Sequence, residues 1–285
     1  MSDGLLAWEG LAWEVALAAL YVWAASRRSA RGNRWPRYRT AAFLVGLATI
    51  AVALQSGLAA YDDVFWVHNL QHVLLMMVAP PLLALGAPIT LALRSTRGHA
   101  RRRLLGVLHD RSVRSATSRP LVLVLDYNAT MAIYLLTPLY RLSLEHLGLH
   151  IAIHFYFLLC GLLFWIPIVG VDPVPGRLAP RRRIGLAALA IPINVGVAVA
   201  LLLHPSTVTG SSQAAIDSGA LSLLVAGTVA ALAGVLLVAL CARAPAAGPR
   251  VGARRRSPLG GRVPLPAGAA GHTAPPKSSD CLHRS

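Results

Sequence analysis

Residues 68–93 read HNLQHVLLMMVAPPLLALGAPITLAL. The stretch carries no charged residue apart from its histidines and is long enough for a helix to cross a hydrocarbon core about 30 Å thick. Yet it opens on two histidines four residues apart, and Met76 continues the same spacing. On a helix, residues four apart lie one above the other, so His68, His72 and Met76 form one stripe. Imidazole is costly in lipid unless it faces a bundle interior and finds a partner there. The stretch therefore predicts a membrane helix with a polar purpose.

The rest of the chain fits that reading. It has 285 residues, 55% of them hydrophobic, and a mean hydropathy of +0.58. We expect an all-α membrane bundle of seven spans, running approximately from Leu5 to Ala25, Thr40 to Ala60, His68 to Leu93, Pro120 to Tyr140, Leu147 to Val171, Ile184 to His204 and Ala220 to Cys241. Pro80 and Pro81 remove backbone donors and predict a kink in the third. The seven-span domain occupies 1–243. The segment 244–285, rich in Pro, Gly, Ala and Arg, has no periodicity and is expected to be a disordered basic cytoplasmic tail.

The net charge of +16 at first suggests nucleic acid. Its distribution excludes that: of the 27 basic residues, all but Arg141 fall in alternate loops or the tail. By the positive-inside rule that side is cytoplasmic, so the N-terminus is outside and the C-terminus inside. The charge sets topology and meets anionic lipid, and no nucleic-acid partner is expected. The first apolar run has its arginines after it, which argues for a retained helix rather than a cleaved leader. Three scattered cysteines make no disulfide framework. We expect a multi-pass protein of a bacterial plasma membrane.

This orientation sorts the histidines. His68 and His72 enter the membrane from outside on the third span, and His146, His150 and His154 on the fifth. Each stripe descends about 12 Å from the outer surface. Two such stripes on neighbouring helices make an outward-opening cup of imidazoles. Histidine and thioether donors suit copper, and thioether favours Cu(I). The candidate ligands are therefore His68, His72, Met76, His146, His150 and His154. His204, Glu9 and Glu14 are polar groups of the same half whose roles stay open. Asp126, on the cytoplasmic half of the fourth span, is expected to pair with a neighbour such as Asn128. Asp172 and Pro173 read as a turn. No nucleophile, phosphate loop or catalytic site is evident, so an enzyme is not expected.

The opening stretch resembles the signature of the CtaG-type cytochrome c oxidase assembly proteins, in which an H-x-x-Q-H pair leads into an L-M-x-V-A-P-P-L-L-x-L-G-x-P run. Residues 136–175, LTPLYRLSLEHLGLHIAIHFYFLLCGLLFWIPIVGVDPVP, resemble the family's second block, with clustered histidines, a G-x-L-F-W element and an I-G-x-D-P turn. The resemblance spans roughly residues 5–241. It implies a factor that assembles haem-copper oxidase by delivering copper on the outer side. The partners implied are a cytochrome c oxidase subunit, an extracytoplasmic copper donor and the lipid bilayer. Many relatives carry a histidine in the sixth span, where this chain has Asn194. Two other readings stay open. A haem-binding electron carrier expects ligands on facing helices above and below one ring. A metal transporter expects ligands continuing into the cytoplasmic half.

Overall fold

A computed structural model describes residues 2–61, 63–175, 178–203 and 212–243. Among these residues there is no strand. The helices are, in chain order, α1 (Ser2–Ala30), α2 (Arg37–Gln55), α3 (Phe65–Val73), α4 (Ala79–Leu85), α5 (Pro88–Ser95), α6 (Gly98–Leu108), α7 (Arg111–Ser118), α8 (Pro120–Leu136), α9 (Leu139–Glu145), α10 (Leu147–Val169), α11 (Pro180–Ala188), α12 (Ala190–Leu203), α13 (Gln213–Ser222) and α14 (Thr228–Arg243). Five are long and apolar enough to cross a membrane once their short breaks are bridged: Arg37–Gln55, Phe65–Ser95, Leu147–Val169, Pro180–Leu203 and Gln213–Arg243. A sixth is formed if α8 and α9 count as one broken span. Of the seven expected, α1 stands outside this set; its 29 residues include Glu9, Glu14, Arg27 and Arg28. The expected tail, His204, Asp62 and Arg177 lie outside the described residues.

The segment Phe65–Ser95 is the hub. Within its most apolar window 61% of the residues are buried, against 33% for α2. Its α4 part packs on α2 and α10, and α3 packs on α13. The other helices turn large apolar residues outward, among them Leu121, Leu125, Phe155 and Leu203. A single-solvent protein would not tolerate such a belt, whereas lipid does.

The expected kink at Pro80-Pro81 takes a specific form. Residues Leu74–Val78 make a wide turn in which Ala79 N–H bonds to Leu74 O, five residues back. The cause is covalent. The carbonyls of Met76 and Met77 would bond to the amides of residues 80 and 81, and proline has none. A buried carbonyl needs another donor, and the Trp165 indole N–H supplies it to Met76 O at 3.2 Å. The backbones can meet because Gly161 has no side chain: a Cβ there would stand 2.7 Å from Met76 O. A second break follows at Ala87, whose positive φ of 53° is unusual for alanine. Pro88 then starts α5, and Asp172 caps it. Its carboxylate accepts from Thr90 N at 2.7 Å, Thr90 Oγ1 at 2.6 Å and Ile89 N at 3.3 Å. The expected turn at Asp172 is thus also the clamp joining the end of α10 to α5.

Three expected boundaries move. The fourth span does not run straight to Tyr140: α8 ends at Leu136, and α9 leaves it at 72°. Pro138 explains the break, because its ring bars Thr137 from helical geometry. The second span ends at Gln55 rather than Ala60, giving way to a tight turn over Gly57–Tyr61. The seventh begins at Gln213 and contains a second wide turn, Leu223–Gly227. At the cytoplasmic end expected from charge, α10 stops at Gly170 (φ 62°), and the buried Arg183 donates to the carbonyls of Ile168 and Val169. A cation there complements the helix's negative end.

Candidate metal centre

The two histidine stripes meet. His68 and His72 on α3 are fully buried, and α10 brings His150 and His154 against them. Ring centroids lie 4.5 Å apart for His68–His72, 5.0 Å for His72–His154, 5.2 Å for His68–His150 and 4.4 Å for His150–His154. His68, His72 and His154 each offer one ligand nitrogen, and these three atoms lie within 4.8 Å of one another. The Nε2 atoms of His68 and His72 are 2.7 Å apart. Four of the five expected imidazoles therefore share one buried site. His146 does not join them: it stands at the N-cap of α10, exposed, and its ring touches none of the other four. Met76 is buried in the wide turn and lines a cavity one turn further along.

Sequence reasoning missed the aromatic wall around these rings. Tyr134 on α8 places its hydroxyl 2.7 Å from His68 Nε2 and 2.9 Å from Ser143 Oγ. Ser143 and Tyr140 come from α9, so the bend at Pro138 is what turns them onto the site. Ser143 gives its hydroxyl proton to Tyr140 O at 2.6 Å. Tyr134 must then donate to Ser143, and its oxygen accepts from His68, which puts a proton on His68 Nε2. Nδ1 of His72 is buried with no hydrogen-bond partner, as is Nε2 of His154. Phe157 packs on His72 with centroids 4.1 Å apart, and Tyr140 edges onto His68 at 5.1 Å. The available signal was position: Tyr134 precedes the X-Pro break by three residues.

Other candidates are accounted for elsewhere. Glu14 accepts from Gln55 Nε2 at 3.1 Å, between α1 and α2 and apart from the histidines. Glu9 is exposed. Asn194 donates to Leu223 O at 3.0 Å, at the second wide turn, as Trp165 does at the first. Asp126 does not pair with Asn128, as expected. It accepts from Tyr156 Oη at 2.7 Å and from the Cys160 thiol at 3.2 Å, while Asn128 donates to Val124 O. Both of Asp126's partners belong to α10, a neighbour that local spacing does not reveal.

The family model of the cytochrome c oxidase caa3 assembly factor matches residues 19–244. Uncharacterized proteins of Mycobacterium bovis and Mycobacterium tuberculosis are each 34% identical over 232 residues, covering 79% of this chain and 34% of theirs. One from Mycobacterium leprae is 34% identical over 185 residues, 62% of this chain and 28% of its own. The chain thus spans about a third of the length of these curated relatives. No solved structure matches it. The match covers the hub, both wide turns and all four converging histidines, and the chain belongs to the cytochrome c oxidase caa3 assembly factor family.

Proposed function

We propose that this protein binds copper, as Cu(I), at His68, His72 and His154, with His150 beside them, and passes it to a haem-copper oxidase subunit during assembly. The observation that carries the reading is the convergence of three ligand nitrogens, from the buried His68 and His72 and the half-buried His154, within 4.8 Å. At metal–nitrogen bonds of about 2.0 Å, three donors around one ion stand about 3.5 Å apart, so shifts of about an ångström suffice. The residues fit a cation chemically as well. Two buried imidazole nitrogens without partners would each cost free energy that coordination recovers. Copper is cargo in this reading, so the role is transfer rather than catalysis. Protonated imidazole has no lone pair to offer, so uptake is weaker at low pH.

The topology proposed with it has seven spans, α1 supplying the first, and α8 with α9 the fourth. The N-terminus is extracytoplasmic, and the histidines face that side of a bacterial plasma membrane. An extracytoplasmic donor then loads the site. The packed rings of Phe157, Tyr134 and Tyr140 around His68 and His72 fit one ion better than the plane of a haem. The test is copper content of the full chain purified in detergent. His72→Ala with His154→Ala should lower bound copper by one ion per chain, and His146→Ala should leave it unchanged. Undiminished copper in the double variant would sink the proposal.

A further inference from the structure

The chain has four methionines. All except Met1 line one cavity: Met76 and Met77 from the wide turn, and Met131 from α8. Its volume is about 20 Å³, enough for one water-sized guest. Tyr127, Asn128 and Asn194 complete the polar lining, and small or branched residues of α12 close it. No carboxylate, imidazole or thiol lines it. Asn128 and Asn194 spend amide N–H groups on the carbonyls of Val124 and Leu223. The buried Tyr127 hydroxyl finds no acceptor.

We infer that Met76, Met77 and Met131 form a second cation site, distinct from the imidazoles, for a soft monovalent ion such as Cu(I). The inference extends the reading of the histidines as a copper site. Methionine is common as core filler, but filler does not explain why every internal methionine converges on one unfilled space. Thioethers bind soft ions and discriminate against hard ones. A lining without charge also disfavours divalent ions, whose burial costs more. The placement is that of a next station. Met76 follows His72 by four residues on the hub, and Met131 precedes Tyr134, whose hydroxyl touches His68, by three on α8. Both offsets are about one turn, or about 5–6 Å, in the same direction. The wide turn is what admits Met76 and Met77 together.

Ag(I) serves as a redox-inert probe. The full chain in detergent, dialysed against Ag(I) with a competing chelator, should hold two ions. Met77→Leu with Met131→Leu, which conserves volume, should reduce that to one and leave the histidine site loaded. His72→Ala with His154→Ala should also leave one, held by sulfur. Selenomethionine-labelled wild-type protein gives a readout that needs no variant: its selenium absorption edge should show a silver neighbour. Two ions in the methionine variant, a single ion in wild type that only the histidine changes remove, or no selenium–silver neighbour would overturn the inference. Two ions in the histidine variant would instead defeat the histidine reading and leave this site standing.

Discussion

Replacing Gly161 by alanine tests whether the backbone crossing at the wide turn is as tight as the structure makes it. An added Cβ would lie 2.7 Å from Met76 O, 2.7 Å from Pro80 Cγ and 3.2 Å from Met76 Cα. Ordinary carbon contacts are about 3.5–4.0 Å. Neither a carbonyl oxygen nor a proline ring can swing away as a flexible side chain would, so α10 must part from the hub. Overpacking of that kind costs about 1–3 kcal/mol. Parting also stretches the 3.2 Å bond from Trp165 to Met76 O, a carbonyl with no amide to fall back on. Against this, alanine gains about 1 kcal/mol over glycine in helix propensity. The balance is a net loss of about 1–3 kcal/mol. Thermal unfolding of the full chain in detergent reads it directly. Gly148→Ala is the control: it lies on the same helix with nothing near the added Cβ, so only the propensity gain applies. A melting temperature for Gly161→Ala equal to or above wild type would refute the reasoning.

Three further changes probe other joints. Trp165→Phe leaves Met76 O buried without a donor and should lower stability by about 1–3 kcal/mol before the lost ring volume is counted; an unchanged melting curve would show that the indole bond is idle. Tyr134→Phe keeps the ring packing but removes the acceptor from His68, costing about 1 kcal/mol, and unfolding of the variant against wild type checks it. Asp172→Ala strips the cap from α5 and strands the donors at Ile89 and Thr90, a loss on the order of 2 kcal/mol. Burial raises the Asp172 carboxyl above its usual value, although bonds from Thr90 and Ile89 pull it down. Its titration therefore contributes stability that is complete below about pH 3.9, the unfolded value, and is lost as pH rises through the native one. Stability against pH for Asp172→Asn should lack that step.

The helical architecture and the meeting of the histidines were legible because both follow from spacing. Residues four apart must share a helix face, and costly imidazoles on two spans have reason to face each other. His146 obeys the same spacing but sits at the helix start, where a stripe runs out of bundle to face. Pro80 and Pro81 announced missing donors, yet not which group replaces them; Trp165 is 89 positions away from Met76. The break at Pro138 was readable from the residue before proline, but the apolar run concealed it. Nothing local marks the second wide turn, since Leu223–Gly227 contains no proline. Asp126 shows the general limit: its partners Tyr156 and Cys160 are fixed by which helices pack, not by what lies near it in the chain.

The short helix α9 has a mechanical consequence. Ser143 ties it to Tyr134, and Tyr134 ties it to His68, through bonds of 2.9 and 2.7 Å. Its tilt and the orientation of that imidazole are therefore a single degree of freedom. Anything that levers α9 about Pro138 turns the first histidine of the cluster without having to touch it.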